Sequence, residues 1–406
     1  MRLAELDVFV VAPPAPGWGG RYWIVPKLTT SCGVTGYGEV YASAVGPEAM
    51  RTVIGDVFAR HCEGSDPADT ALMARRVWGS GFTGRADPTV WGAWSGLEIA
   101  CWDILGKALD RPVHALVGGR LNERLRAYTY LYPEPSMDAA AFWTSAEMAA
   151  EVAALRVAEG WTAVKFDPAG PYTIRGGHEP GGRDVSLSVA FVRAIRAAVG
   201  DRADLLFGTH GQFTPSGAIR LGRAIAEADP LWFEEPVPPD DPSGQAEVAR
   251  GQPVPVASGE RLCGLGEFAT LLRLGAARIL QPALGRAGGI GEGLRIAALA
   301  QGFGAQVAPH LYAGPVEFAA SVQLGAAIPN LLMVEAIETP FHHALGGGPR
   351  AEGGFVEVPT APGLGLSFDE DLARAHPYRG TGLHLEMQEA SPDYARGNAF
   401  LGGAAD

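Results

Sequence analysis

Leu231-Trp232-Phe233-Glu234-Glu235-Pro236 and, one repeat later, Pro255-Val256-Ala257-Ser258-Gly259-Glu260-Arg261 share one build. Each is a short run of apolar or small residues that closes on a carboxylate. The build recurs in both directions along the chain. Upstream lie AVKFDP (163–168) and LLFGTHGQ (205–212); downstream lie ILQPALG (279–285), QVAPHLY (306–312) and LMVEAIE (332–338). The stretches between them are rich in Ala, Leu and Arg at helical spacing. A buried strand ending in a polar residue, then a helix, repeated, is the pattern of a (β/α) barrel, whose active-site groups sit at the carboxyl ends of the strands. With LRAYTYLY (125–132) there are eight strand candidates, and the barrel is expected from about Leu125 to about Thr339.

The first part of the chain has a different rhythm. LAELDVFVVA (3–12), RYWIVPKLTT (21–30) and VTGYGEVYAS (34–43) are alternating or β-rich, and PPAPGWGG (13–20) separates the first two. They predict a small antiparallel meander. Helical segments follow at about Glu48–His61, Pro67–Trp78 and Thr89–Leu109; the last has Leu97, Ile99, Ala100, Ile104 and Leu105 on one face. The first module is therefore α+β. Thr214-Pro215 and Pro315 mark helix starts. The loop AGPYTIRGGHEPGGRD (169–184) is long and Gly-rich, and its place at the catalytic face predicts a lid or a specificity element. The tail, with VEVPTAPGLGLSFDEDL (356–372) and LHLEMQ (383–388), is expected to run back onto the first module. The expected division is 1–118, 119–352 and 353–406.

Bulk properties narrow the function. The chain has 406 residues, 19% charged, with a net charge of −13. The acidic balance disfavours nucleic acid or an anionic membrane as partner. Cys32, Cys62, Cys101 and Cys263 are scattered without CxxC or CxxH pairing, so reduced thiols are expected rather than structural zinc or disulfides. The start, MRLAELDVFVV, lacks a basic region and a long apolar core. No apolar run of about 18 residues follows, so a cytoplasmic protein without a membrane span is expected.

Several segments together resemble the enolase superfamily, and within it the mandelate racemase/muconate lactonizing enzyme family. They are GLEIACWDILGKALDRPVHALVGG (96–119), LWFEEP, PVASGER, QPALGRAGGI (281–290), APHLY (308–312) and PGLGL (362–366). The resemblance spans nearly the whole chain. It implies a modified TIM (β/α) barrel with an N-terminal α+β capping domain, and a tail that returns to the cap. It also implies abstraction of a proton α to a carboxylate, with Mg²⁺ stabilising the enediolate. Such a proton is a very weak acid, and concentrated positive charge lowers the barrier more than neutral hydrogen bonds do. Mg²⁺ favours hard oxygen ligands, which suits carboxylates at successive strand ends.

Carried onto this sequence, the resemblance assigns Glu234 and Glu260 to the metal, with Glu235 the alternative to Glu234. The family's third ligand is an Asp at a position that is Gly208 here. His210 and Asp167 are the two candidates to replace it; Mg²⁺ favours the oxygen donor. On the second strand the family often has Lys-x-Lys, and this chain has Lys165-Phe166-Asp167. Period-two alternation turns Lys165 and Asp167 inward and Phe166 outward. Lys165 is a candidate for the substrate carboxylate, or for an ion pair with Asp167. His310 matches the seventh-strand histidine, a suitable general base or acid. The Asp that would orient it is Ala283 here. His210 is similar to the third-strand histidine of acid sugar dehydratases. Glu335 matches a carboxylate that hydrogen-bonds substrate oxygens, with Glu338 nearby. In the cap, Trp18, Arg21 and Tyr22 occupy the loop expected to close over the substrate, with Arg21 the candidate distal contact.

These residues lead to a lyase that removes water from a sugar acid such as an aldonate or aldarate. The set His210, His310, Lys165, Asp167 and Glu335 suits a substrate with several hydroxyls. The third and seventh strands face each other across an eight-stranded barrel, so His210 and His310 can flank the substrate; with Ala283 in place of a carboxylate that would raise its pKa, His310 is favoured as base and His210 as acid, with Asp167 a third candidate. Alternatives are a racemase, epimerase or cycloisomerase of the same superfamily, and a non-catalytic binding protein on this scaffold. The expected partner is a small carboxylate, and a homo-oligomer is expected.

Overall fold

A computed structural model of the protein describes residues 1–41, 44–168, 173–174, 176–337 and 339–387. The chain opens with an antiparallel meander, β1 (Leu3–Val11), β2 (Trp23–Thr30) and β3 (Thr35–Tyr37), in that order across the sheet. Three helical stretches follow. The first is α-helical over Pro47–Val57 and widens to a π turn over Phe58–Cys62. The second begins at Thr70, later than the expected Pro67. The third spans Pro88–Ala108, where Pro88 occupies the first turn and Asp87 accepts hydrogen bonds from the Thr89 and Val90 amides.

Next come eight parallel strands: β4 (Arg124–Tyr130), β5 (Ala163–Phe166), β6 (Asp204–Phe207), β7 (Trp232–Glu234), β8 (Val256–Ser258), β9 (Ile279–Leu280), β10 (Gln306–Val307) and β11 (Val334–Glu335). Each pairs with the next from β4 to β10, and β11 pairs with β4. Between β10 and β11 a parallel bridge joins Val307 to Leu331, just before β11. The sheet is thus barrel-type. A hairpin, β12 (Ala351–Glu352) and β13 (Phe355–Glu357), lies antiparallel on the start of β4. The strands are short because each is a buried segment ending where its polar group begins. In β5 all four residues are buried, and Val164 and Phe166 join the core beneath the helices. Among the described residues no helix is long and apolar enough to cross a membrane.

Cap and barrel are locked by buried carboxylates that hold helix N-termini. Glu39 accepts hydrogen bonds from the amides of Gly314, Val316 and Glu317, where the helix Pro315–Ala327 begins. Glu98 accepts from Ile290 (2.8 Å) and Gly291 (2.9 Å) at the start of the helix Gly289–Gly302. These amides are the donors that a helix cannot satisfy internally. Gly289 has φ +84°, and a Cβ there would fall 2.0 Å from Glu98 Oε2, so the carboxylate needs this glycine. Asp103 accepts from the Tyr37 and Leu364 amides and from Lys107. The segments 96–119, 281–290 and 362–366 are therefore one another's partners in space. Removing the Glu98 carboxylate orphans two amides, each worth about 1–3 kcal/mol when buried. Glu98→Ala is expected to cost about 2–4 kcal/mol in a denaturant titration, and Glu98→Gln less.

The tail returns to the meander. Tyr378 N donates to Val10 O, Ala12 N to His376 O, and Lys27 Nζ reaches Glu370 at 2.5 Å. His384 places Nε2 3.0 Å from Gly19 O, against the loop that precedes β2.

Candidate active site

Seven expected side chains converge at the carboxyl ends of the strands. Lys165, Asp167, Glu234, Glu260, His310 and Glu335 are all buried, and His210 is mostly so. They form two linked groups. Lys165 Nζ lies 2.5 Å from Glu234 Oε1 and 3.6 Å from Glu335 Oε1. His210 Nδ1 lies 3.0 Å from Asp167 Oδ2, and its Nε2 lies 3.6 Å from Glu260 Oε2. His310 Nε2 joins the groups, 3.5 Å from Glu260 Oε1 and 3.9 Å from Glu335 Oε2. The two histidines, from β6 and β10, thus meet the two oxygens of one carboxylate.

The alternative of an ion pair between Lys165 and Asp167 gives way to pairs of Lys165 with Glu234 and Glu335. Residues two apart on a strand are about 6–7 Å apart along it, whereas side chains from other strands can meet across the barrel. Glu234 is held on both oxygens: Oε1 by Lys165, and Oε2 by Trp232 Nε1 (3.0 Å) and Gln281 Nε2 (2.8 Å). Glu235 turns away to Arg261, 2.7 Å. Its φ of 41° lies in the left-handed region, a strained state for a non-glycine residue, and separates the two adjacent carboxylates.

Burial and neighbouring charge set the protonation of the cluster. Burial opposes charge on Lys165, but Glu234 and Glu335 outweigh it and hold the ammonium charged. Burial likewise opposes charge on His210, yet Asp167 and Glu260 push its pKa up to about 9. His310 goes the other way: burial, aided by Lys165 and His210, overrides Glu260 and brings it down to about 3. Burial alone would raise the Glu260 carboxyl; His310, His210, Lys165 and Arg261 outweigh it and hold it below the usual carboxylate range. One histidine is therefore cationic and the other neutral.

His310 Nδ1 has no hydrogen-bond partner among the described residues, as the replacement of the orienting Asp by Ala283 foreshadows. Its ring packs instead on Tyr41, with centroids 5.3 Å apart. Tyr41 is a site residue that sequence reasoning missed. It comes from the cap, donates to Glu260 Oε1 at 2.8 Å, and carries the Arg286 guanidinium 4.6 Å above its ring. Trp232, Gln281 and Arg261 were also missed as carboxylate partners. A polar residue at a strand end was the available signal for Gln281; Tyr41 had none, since its contact spans 219 positions.

The cap loop meets the returning tail. Tyr22 is buried against Tyr378 and His384. The returning tail draws it there, which the loop sequence alone does not reveal. Arg21 is paired with Glu386 at 3.0 Å. Trp18 stacks on Tyr132 at 4.1 Å. Trp18 and Arg21 line an open groove of about 1760 Å³ whose walls include none of the seven clustered residues. In the long loop, residues 169–172 and 175 lie outside the described residues, as do Glu338 and Gln388. The described part near His178 is tied to the next loop by His178 N to Gln212 O and Thr214 N to His178 O.

Among the described residues no group of three or more His, Cys, Asp or Glu side chains stands ready to enclose a metal ion. The donor chemistry nonetheless suits a hard dication. Glu234, Glu260 and Asp167 offer carboxylate oxygens, and Glu260 Oε2 is buried without a hydrogen-bond partner among the described residues.

With this geometry, an α+β cap closing a barrel-type sheet over a buried cluster of acids, lysine and histidines, the comparisons with known proteins agree. Residues 19–118 match the mandelate racemase/muconate lactonizing enzyme N-terminal domain, and residues 147–372 match the enolase C-terminal domain-like family. The chain belongs to the mandelate racemase/muconate lactonizing enzyme family of the enolase superfamily. It is 34% identical over 383 residues to a D-xylonate dehydratase of Haloferax volcanii, covering 90% of this chain and 88% of that protein. It is 31% identical over 388 residues to a D-gluconate/D-galactonate dehydratase of Picrophilus torridus, covering 93% and 95%. Among solved structures, a mandelate racemase/muconate lactonizing enzyme-like protein from Roseovarius sp. TM1035 is 67% identical with a TM-score of 0.96, over 97% of this chain and all of that one.

Proposed function

We propose that this chain is a metal-dependent hydro-lyase that removes water from a sugar acid of the aldonate or aldarate type to give a 2-keto acid. The observation that carries the reading is the placing of two histidines, from β6 and β10, on the two oxygens of one buried carboxylate, His210 toward Glu260 Oε2 and His310 toward Glu260 Oε1. Elimination needs such a pair: a base for the α-proton and an acid for the departing β-hydroxyl. Relatives named as D-xylonate and D-gluconate/D-galactonate dehydratases support the substrate class. In this reading residues 1–118 cap the site, 119–352 carry the chemistry and 353–406 pack back on the cap, in a cytoplasmic homo-oligomer.

His310 takes the α-proton. The nearby Glu260 and Glu335 carboxylates stabilise its imidazolium as it forms. His210 delivers its proton to the β-hydroxyl, which leaves as water, and the resulting enol becomes the keto acid. Lys165 steadies the substrate carboxylate, and Glu335 accepts hydrogen bonds from substrate hydroxyls. Glu234 and Glu260 would hold Mg²⁺, which supplies concentrated positive charge to the enediolate; binding there competes with Lys165 for Glu234.

The test is a screen of aldonates and aldarates for 2-keto acid product, with Mg²⁺ and with excess chelator. Product from at least one acid, lost with chelator and restored by Mg²⁺, is expected. Undiminished turnover in chelator would remove the metal from the account, and no keto acid from any member would remove the dehydratase reading.

A further inference from the structure

Two residues beyond His210, the buried carboxamide of Gln212 has no hydrogen-bond partner among the described residues. We propose that Gln212 is a specificity residue of the site. It holds two neighbouring hydroxyls of the sugar acid beyond the one that leaves, so the preferred substrate is an acid of five or six carbons. The proposal rests on the dehydratase reading and on His210 as the group that faces the β-hydroxyl.

The path of β6 and the loop after it sets the direction of this side chain. Leu205 and Phe207 belong to the core beneath the helices, whereas Leu206 joins Tyr128, Ala163 and Trp232 inside the barrel. Phe213 is fully buried and returns to the core side, where its ring meets His178 at 5.4 Å. Gln212 therefore turns to the opposite side, that of the barrel mouth. Backbone on both flanks keeps it there. Gly211 N donates to Glu235 O at 2.7 Å and Phe213 N to Pro236 O at 3.3 Å, while His178 N donates to Gln212 O at 2.9 Å. Gly211, with φ +65°, permits the close run past Arg261, since a Cβ there would fall 2.3 Å from Arg261 Nη2.

The carboxamide serves a ligand rather than the fold. Gln212 is 4% exposed, and neither Nε2 nor Oε1 has a hydrogen-bond partner among the described residues. Other buried glutamines are used by the fold. Gln245, Gln252 and Gln323 each engage both side-chain atoms with protein groups, and Gln281 Nε2 holds Glu234. Burying an unpaired carboxamide is destabilising, so a folded site keeps one where something other than the fold pairs with it. A carboxamide offers a donor and an acceptor side by side, which matches two adjacent hydroxyls, one accepting and one donating. In the proposed mechanism Lys165 steadies the carboxylate and His210 meets the β-hydroxyl. The neighbouring hydroxyls left for Gln212 are those on the fourth and fifth carbons.

The test compares five- and six-carbon aldonates with glycerate, which carries the same reacting atoms and no carbon beyond the leaving hydroxyl. Glycerate loses water to give pyruvate, so every probe is read by 2-keto acid formation on the full chain. Wild type is expected to favour the longer acids in kcat/KM. Gln212→Met keeps the length of the side chain and removes both hydrogen-bonding atoms. It should lower the ratio of kcat/KM for the long acid to that for glycerate by about 10–100-fold, the effect of one or two hydrogen bonds lost in a buried site. Gln212→Ala is a second variant with the same expected direction. Denaturant titration separates this role from a structural one: Gln212→Met should be no less stable than wild type, because an apolar chain replaces an unpaired amide. An unchanged ratio, equal losses for long and short acids, or a marked loss of stability in Gln212→Met overturns the proposal and leaves the dehydratase reading standing. No keto acid from any of the acids with wild type overturns that reading, and this proposal with it.

Discussion

Glu260→Gln is expected to lower kcat by about a thousandfold or more while leaving the fold intact. The magnitude follows from losing preorganised charge at the reacting centre, where one donor alone is worth about 100–1000-fold. Glu260 does more than one job. It lies within 3.6 Å of both histidines and accepts the Tyr41 hydroxyl, and in the proposed mechanism it also holds the cation. Gln keeps the volume and can accept from Tyr41, but it brings no negative charge. His210 then loses one of the two carboxylates that keep it protonated, so the acid weakens along with the metal site. Circular dichroism close to wild type with turnover abolished is the expected pair of results. Full activity in this variant would show that neither the cation nor the histidines depend on Glu260.

The second large effect separates the histidines. His310→Asn is expected to stop exchange of the substrate α-proton with deuterium from solvent. His210→Asn is expected to allow that exchange and to block dehydration. General acid–base groups contribute about 100–10,000-fold, so each loss is measurable. The assignment follows from their surroundings. His310 is neutral, with no hydrogen-bond partner on Nδ1 among the described residues, whereas His210 lies against Asp167 and Glu260 and is charged. A base must begin neutral and an acid must begin protonated. If both variants exchange at the wild-type rate, neither histidine is the base and the role passes to Lys165 or Asp167.

What the sequence revealed depends on how far apart the partners are. LWFEEP and PVASGER disclosed their strands because burial and a terminal carboxylate are local properties. Alternation placed Lys165 and Asp167 on the inner face correctly for the same reason. The protein partners of Lys165, Glu234 and Glu335, were not legible, because they depend on which strands meet across the barrel. Tyr41 was invisible: nothing in VTGYGEVYAS says that its second tyrosine ends against Glu260. The surroundings of Tyr22 were equally hidden: Tyr378 and His384, which pack against it, come from the tail. The segments that carried the family resemblance turn out to be contact partners. Glu98 on Ile290 and Gly291, and Asp103 on Leu364, join three stretches that are far apart in the chain. The absence of an acid at Gly208 was plain in the sequence; that Asp167 lies in its space could be seen only once β5 and β6 were in register.

The central claim is elimination of water, and mass spectrometry of a single reaction in deuterium oxide tests it most directly. With the sugar acid found in the screen, the account predicts a 2-keto acid lighter than the substrate by one water and carrying one carbon-bound deuterium from solvent at C3, where the enol is protonated. A product with the substrate's mass apart from exchanged α-deuterium, and with inverted configuration, would contradict it and make the chain an isomerase.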